Sequence, residues 1–442
     1  MTESSPILSD INQILQRFAH FGVHLSLTRI ERLLANLGNP QNRVPIIHVA
    51  GTNGKGSVCA YLSSVLTQAG YRVGRYTSPH LVNWCERICI NNQMIMPEAL
   101  RSRLETVIAA VAAAESTPTQ FEIFTAAAWL HFAEECVDIA VIEVGLGGRL
   151  DATNVCDRPL VSVITPISRE HWQRLGPTVA DIAGEKAGIL KADCPAVIAP
   201  QPAAAAAVFQ ARLKSLNCPA VWPQPAQDLG EGRARYLGTQ TQIDYSLSLS
   251  GAHQLVNSAV AIAALESLQQ QGWEISETAI QQGMAQTQWA GRLQWTDWVD
   301  AAGKRYPLLL DGAHNPAAAV ALRQYVDQLG ADCASTTATW IMGMLATKDH
   351  ADVFEALLRP GDRLYLVSVP GHLSANPVQL AEIAQSVCPK LSLCQTSADL
   401  ITALPAATLF PGLRVLCGSL YLVGAFLQEL YGPVENTQNP GG

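Results

Sequence analysis

Seven residues, Gly51-Thr52-Asn53-Gly54-Lys55-Gly56-Ser57, follow a short apolar run, Ile46–Ala50, and lead into a helical stretch, Gly56–Ala69. Small residues let backbone N–H groups curl around phosphate oxygens. Lys55 adds a point charge, and the helix that follows adds the positive end of its dipole. The chemistry this suits is phosphate binding, with Ser57 or Thr52 in reach of a Mg2+ ion. The spacing departs from the usual phosphate loop, G-x-x-x-x-G-K-[ST]. Val49 stands at the first glycine position, and Gly56 separates Lys55 from Ser57.

Three further positions carry groups suited to metal or charge chemistry. Glu143 ends the apolar run Asp138–Val144 and precedes GLGGRLDATN. Open α/β sheets bind ligands at the carboxyl ends of their strands, and a carboxylate there suits Mg2+, which takes oxygen ligands and substrate phosphates. His171 follows the next apolar run, Leu160–Thr165, at the same expected sheet edge. Lys186 lies among small and apolar residues in AGEKAGIL. It can ion-pair with Glu185 or Glu170. Alternatively burial strips its charge, and the neutral amine takes up CO2 as a carbamate. Near the other end of the chain, Asp311-Gly312-Ala313-His314-Asn315-Pro316 follows a strand and opens a helix, either as a second ligand contact or as a plain turn.

Apolar runs of strand length positioned these residues in alternation with helical stretches, the rhythm of βαβ units and a parallel sheet. The first series holds strands at 46–50, 72–76, 138–144, 160–165 and 196–199, with helices at 97–114 and 121–135. From 201 to 251 the pattern is a helix and then short antiparallel strands, appended to the first domain, before helical periodicity resumes over 255–288. A second series places strands at 307–310, 339–344, 363–369, 391–394 and 414–417. The fold class is α/β, in two domains, 1–295 and 296–442. Of the 442 residues 48% are apolar and 15% charged, which suits packed cores and not a disordered chain. A net charge of −8 argues against nucleic acid as a partner. No run is long and apolar enough to span a membrane, and the start of the chain lacks a secretory pattern. Eleven scattered cysteines read as reduced thiols, so a cytoplasmic protein is expected.

Nine motifs in order give the chain a wider identity: LGNPQ at 37–41, HVAGTNGKGSV at 48–58, YTSPHL at 76–81, ERI at 86–88, EVGLGGRLDATNV at 143–155, EKAGI at 185–189, HQLVNSAVA at 253–261, DGAHNP at 311–316 and GSLYLVG at 418–424. From Phe21 to Val423 the chain resembles the folylpolyglutamate synthase/dihydrofolate synthase family of Mur-ligase-like, ATP-dependent amide ligases. The resemblance implies a P-loop ATPase domain joined to a Rossmann-like C-terminal domain. It also implies a monomer acting on small molecules: ATP, L-glutamate, and dihydropteroate or reduced folates. By the same resemblance, Thr52, Asn53, Gly54, Lys55, Gly56 and Ser57 hold the ATP phosphates. Ser78 and Glu143 ligate one Mg2+, while His171 and a carbamylated Lys186 serve a second. Asn257, Arg292, Asp311 and His314 contact the nucleotide. The pterin side falls to His24, Leu25 and Ser26, to Thr119, Gln120, Phe121 and Glu122, and to Leu150, Asp151 and Ala152.

The chain departs from the family pattern at three places: Ser26 replaces a glycine, Glu170 an aspartate before His171, and Ala290 a proline after Trp289. Because the pterin segments are present in outline, an enzyme performing both family reactions is expected. Other readings are a different ligase of the superfamily, acting on a nucleotide-sugar or peptide, and a nucleotide-binding regulator without ligase activity.

Overall fold

A computed structural model describes residues 6–19, 26–111, 117–238, 241–332 and 337–431. They fall into two compact units. One holds those between 6 and 248 and between 253 and 289; the other holds those between 290 and 431 and the short segment Leu249–Ala252. The chain therefore changes unit at Ala290, a few residues ahead of the boundary read from sequence.

The first unit is built on eight strands: β1 Ile46–Ala50, β2 Val73–Tyr76, β3 Ile88–Ile90, β4 Gln93–Met94, β5 Ile139–Glu143, β6 Val161–Ile164, β7 Ala196–Ile198 and β8 Ala220–Val221. Their order across the sheet is β4-β3-β2-β5-β1-β6-β7-β8. Strands β1, β2, β5, β6, β7 and β8 run parallel. Every residue of β1 and β5 is buried, as continuous apolar strands covered on both faces must be. The helices Lys55–Gln68 and His253–Gln269 are buried over most of their length. The segment after residue 201 forms a helix, Ala203–Ser215, and a separate antiparallel sheet of β9 Gln227–Gly230, β10 Arg233–Leu237 and β11 Gln242–Ser246.

The sheet is parallel as expected, with an antiparallel edge that the sequence reading did not mark. β2 pairs antiparallel with β3, and β3 with β4, through a two-residue turn at Asn91 and Asn92 with φ of 48° and 62°. Two consecutive positive φ angles match the twist of a tight hairpin, and asparagine tolerates them. The helical pattern over 255–288 is two helices, His253–Gln269 and Glu277–Gln286. Gly272 ends the first in the left-handed region (φ 92°), with the Trp273 N–H bonded to the Leu268 carbonyl. Ser276 opens the second, its hydroxyl accepting the Ala279 N–H.

The second unit is a six-stranded sheet in the order β12-β13-β17-β14-β15-β16. Its strands are β12 Gln294–Val299, β13 Arg305–Leu310, β14 Ala338–Met342, β15 Arg363–Leu366, β16 Leu393–Thr396 and β17 Leu413–Cys417. All neighbours are parallel except β12, which the sequence reading left as a boundary and which pairs antiparallel with β13. Beneath this sheet the fully buried carboxylate of Asp362 accepts from Arg323 (2.8 Å), Trp340 Nε1 (2.9 Å) and the backbone N–H groups of Ala338 (2.9 Å) and Arg359 (3.0 Å). Removing the carboxylate leaves the buried Trp340 and Ala338 N–H groups unsatisfied and buried Arg323 with Asp327 alone. Asp362→Ala is expected to cost about 3–5 kcal/mol in urea unfolding; a loss under about 1 kcal/mol would count against this pillar.

Candidate active site

Register brings the first unit's chemical residues to one edge. On β1, Val49 lies opposite Glu143 of β5, and Ala50 opposite Ile164 of β6. The loop after β1, the carboxylate ending β5 and the segment after β6 thus leave the sheet side by side, at the edge where such sheets take ligands.

The loop after β1 has no room for larger residues. A Cβ on Gly51 would lie 1.8 Å from the Thr165 hydroxyl oxygen, and one on Gly54 (φ 89°) 2.3 Å from Asn257 Oδ1. The N–H groups of Thr52 and Asn53 bond the Pro166 carbonyl at 3.1 and 3.3 Å. The Thr52 hydroxyl donates to the Ser168 carbonyl and accepts the Ser168 N–H, both at 3.1 Å. Ser57 is buried and accepts from Gln254 Nε2 at 3.3 Å. Both hydroxyls read from sequence as reaching a metal therefore have internal partners. Asn257 donates to Gln254 Oε1 at 3.0 Å. Lys55 Nζ donates to the Thr52 carbonyl at 3.2 Å and stands 3.9 Å from Glu143 Oε1. The other Glu143 oxygen accepts the Ser78 N–H at 3.2 Å, and the carboxylate is buried. Half-buried Glu86 shapes the segment around Ser78 by accepting the N–H groups of Leu81, Val82 and Asn83, each at 2.7 Å.

Lys186 ends the helix Val179–Lys186, which a Thr178/Asp181 capping box begins. Its Nζ is buried and donates to the Gly51 carbonyl at 2.7 Å. Neither glutamate neighbour read from sequence is its bonding partner: Glu185 pairs with Arg149 at 2.9 Å, and Glu170 lies 3.9 Å from His171 Nε2. Burial first, then the Lys55 charge, pushes Lys186 down from 10.5 to about 7, against the pull of Glu170, Asp151 and Glu143. His171, with φ 52°, is half exposed.

The residues expected on the pterin side lie on separate segments. Thr119 and Glu122 make a reciprocal capping box for the helix Gln120–Glu134. Arg29 holds Glu122 Oε2 at 3.1 Å, while buried Oε1 has no hydrogen-bond partner. Gln120 donates to the Leu15 carbonyl. Phe121 packs against Gly145, where a Cβ would lie 2.4 Å from its ring. Asp151 turns its carboxylate onto its own loop. It accepts the Leu146 N–H (2.8 Å), the Thr153 N–H (3.0 Å) and the Thr153 hydroxyl (2.6 Å), and burial pushes its pKa up. Leu150 is half-buried and Ala152 buried beside it. Ser26 Oγ accepts the Thr28 N–H ahead of the helix Thr28–Asn36. His24 and Leu25 lie outside the described residues.

In the second unit, Asp311 accepts the N–H groups of Leu293 (2.9 Å) and Ala313 (2.8 Å), which occupies both its oxygens with the turns around Arg292 and Gly312. A Cβ on Gly312 would meet Arg292 Nη1 at 2.4 Å. His314 Nδ1 lies 2.7 Å from the Gly312 carbonyl.

The sequence reading missed Thr165, Glu86 and Trp289. Thr165 Oγ1 is buried at the phosphate loop without a hydrogen-bond partner, the kind of orphan a bound ligand satisfies. Its one signal is a hydroxyl at a strand end. The donor set fits nucleotide phosphate and Mg2+: glycines without room for a Cβ, a helix N-terminus, one lysine and one buried carboxylate. Among the described residues no three His, Cys, Asp or Glu side chains cluster as a metal cage.

This is the build of an ATP-dependent ligase of the Mur type. Residues 49–265 match the Mur ligase middle domain, and 294–429 match the C-terminal domain of dihydrofolate synthetase. The chain is 33% identical over 434 residues to a probable dihydrofolate synthetase of Schizosaccharomyces pombe, covering 92% of this chain and 99% of that one. It is 40% identical over 309 residues to the dihydrofolate synthase/folylpolyglutamate synthase of Bacillus subtilis, covering 67% and 70%. The solved Mycobacterium tuberculosis folylpolyglutamate synthase complexed with ADP superposes with a TM-score of 0.85 at 30% identity, covering 98% and 99%. The chain belongs to the folylpolyglutamate synthase/dihydrofolate synthase family. Among the described residues no helix is long and apolar enough to cross a membrane.

Proposed function

We propose that this chain joins L-glutamate both to dihydropteroate and to reduced folates. The carboxylate of the acceptor attacks the γ-phosphate of ATP, and ADP leaves. The glutamate amino group then attacks the acyl phosphate, forms the amide and releases phosphate. The observation that carries this reading is the phosphate loop with Lys55 Nζ 3.9 Å from the buried Glu143 carboxylate. The work of such a site is positioning and charge neutralisation.

In this reading the loop from Thr52 to Ser57 and the N-terminus of the helix Lys55–Gln68 receive the phosphates. Lys55 offsets the charge that moves during transfer. Glu143 and Ser78 would hold one Mg2+, which would supply charge neutralisation at the phosphates, and His171 and Lys186 would hold a second. The buried Lys186 Nζ attacks the carbon of CO2 and loses a proton to solvent, which leaves a carbamate. The N–H that remains can keep the bond to the Gly51 carbonyl that Nζ makes now. Asn257 in the first unit, and Arg292, Asp311 and His314 in the second, serve the nucleotide. Phe121 offers a ring face, and Thr119, Glu122 and the loop 150–152 offer polar edges, to the pterin. The Bacillus subtilis relative, named for both reactions, favours an enzyme that performs both.

The test is phosphate release with MgATP and L-glutamate, given either dihydropteroate or tetrahydrofolate, with products identified by mass. Release with both acceptors is expected. Release with one alone removes the other reaction, and release with neither removes the folate reading.

A further inference from the structure

The phosphate loop has a glycine, Gly56, where the usual pattern has a serine or threonine after the lysine. Gly56 lies within the helix Lys55–Gln68, so its backbone conformation does not call for glycine. A glycine there costs about 1 kcal/mol relative to alanine. The reason is space. A Cβ on Gly56 would lie 2.7–2.9 Å from Cζ2, Nε1 and Cε2 of Trp289.

The segment carrying Trp289 is tied along the same helix. A Cβ on Gly283 would lie 2.4 Å from Val65 Cα, and Ser64 Oγ donates to the Gly283 carbonyl at 2.8 Å. Gln68 bonds Gln286 at 2.7 Å. Ser248 Oγ lies 2.8 Å from the carbonyls of both Met284 and Thr287. The same segment also reaches the start of the helix, where the Trp289 indole lies on Gly56. The guanidinium of buried Arg75 backs the indole, 5.2 Å from the ring centroid. Arg75 is itself held by Asn92 Oδ1 at 2.7 Å and Cys89 Sγ at 3.3 Å.

We propose that Trp289 is a positioning residue for the nucleotide: its indole, braced by Arg75, occupies the place of the missing hydroxyl side chain and fixes the first turn of the phosphate-binding helix. Gly56 is glycine because Trp289 is tryptophan. This rests on reading the loop as a phosphate site.

The test is a double-mutant cycle in the full-length chain, with MgADP binding read by calorimetry and ATP and glutamate KM read separately. Gly56→Ser, which restores the usual pattern, is expected to weaken MgADP by about tenfold or more, the effect of overpacking. Trp289→Leu is expected to weaken it about threefold and to raise the ATP KM without moving the glutamate KM. Gly56→Ser in the Trp289→Leu background is expected to add no further loss. If the serine variant does not fold, Gly56→Ala enters the same cycle, with thermal melting as the folding control. Equal losses from Gly56→Ser in both backgrounds would overturn the proposal, because the nucleotide and not the indole would then require the glycine. Failure of the wild-type chain to bind MgADP would instead remove the phosphate-site reading beneath it.

Discussion

Lys186→Met is expected to lower phosphate release about a thousandfold, the scale of losing a fixed charge at a transferring phosphoryl group. Its thermal midpoint is expected at or above that of the wild type. The two expectations share one cause. The amine is buried at the end of a helix, bonded to the Gly51 carbonyl, with Lys55 among the charges that push its pKa down to about 7. In the unfolded chain it returns to about 10.4. Between these values the unfolded state binds more protons, so stability rises with pH across that window. Below about pH 7 the amine is protonated in both states, and the folded protein bears the full cost of burying the charge. Methionine fills the space without that cost. In CO2-depleted buffer its stability gain should thus be largest below pH 7 and fade toward pH 10. With [13C]bicarbonate, a carbamate carbon resonance should appear in the wild type and not in the variant. Turnover at the wild-type level in the methionine variant would sink the carbamate role. A variant less stable than wild type over the whole pH range would show instead that the amine holds the fold together.

Some of this site is written in neighbouring residues and some is not. β1 and β5 were legible because an apolar run of five buried residues has few other uses. The loop from Gly51 to Ser57 was legible because its glycines, lysine and flanking elements are contiguous. β12 was not. Gln294–Val299 mixes polar and apolar residues without alternation on an edge, and its pairing partner β13 is what makes it a strand. The hairpin β3–β4 was hidden in the same way, its sign reduced to two asparagines. Contacts over long separations were the least legible. Lys186 and Gly51 stand 135 positions apart, so sequence left open an ion pair to Glu185 or Glu170 that the fold does not make. Roles of polar side chains were legible as types and not as partners. Asp151 and Asp311 each look free in sequence, yet Asp151 spends both oxygens on its own loop, and Asp311 spends one on the Ala313 N–H of its own turn and one on the distant Leu293 N–H. Such carboxylates shape the loops that meet a ligand, whatever else they touch.

Glu143→Gln separates charge from shape at the same edge. The amide keeps the volume of the carboxylate, and its carbonyl oxygen can still accept the Ser78 N–H now bonded at 3.2 Å. What it loses is the negative charge 3.9 Å from Lys55 Nζ and the second anionic oxygen a hard cation wants. Turnover at fixed Mg2+ should fall about a hundredfold to a thousandfold, and the Mg2+ concentration for half-maximal rate should rise. Stability should fall by only about 1 kcal/mol. Lys55 keeps 17% of its side-chain surface in solvent and its bond to the Thr52 carbonyl, so the cation left behind is hydrated and partnered. If folding suffered more than turnover, Glu143 would be a structural counter-ion for Lys55. If turnover fell with an unchanged Mg2+ dependence, the carboxylate would act on Lys55 and not on the metal. Raising Mg2+ distinguishes these outcomes, because excess cation restores occupancy of a weakened site and cannot restore a lost ion pair.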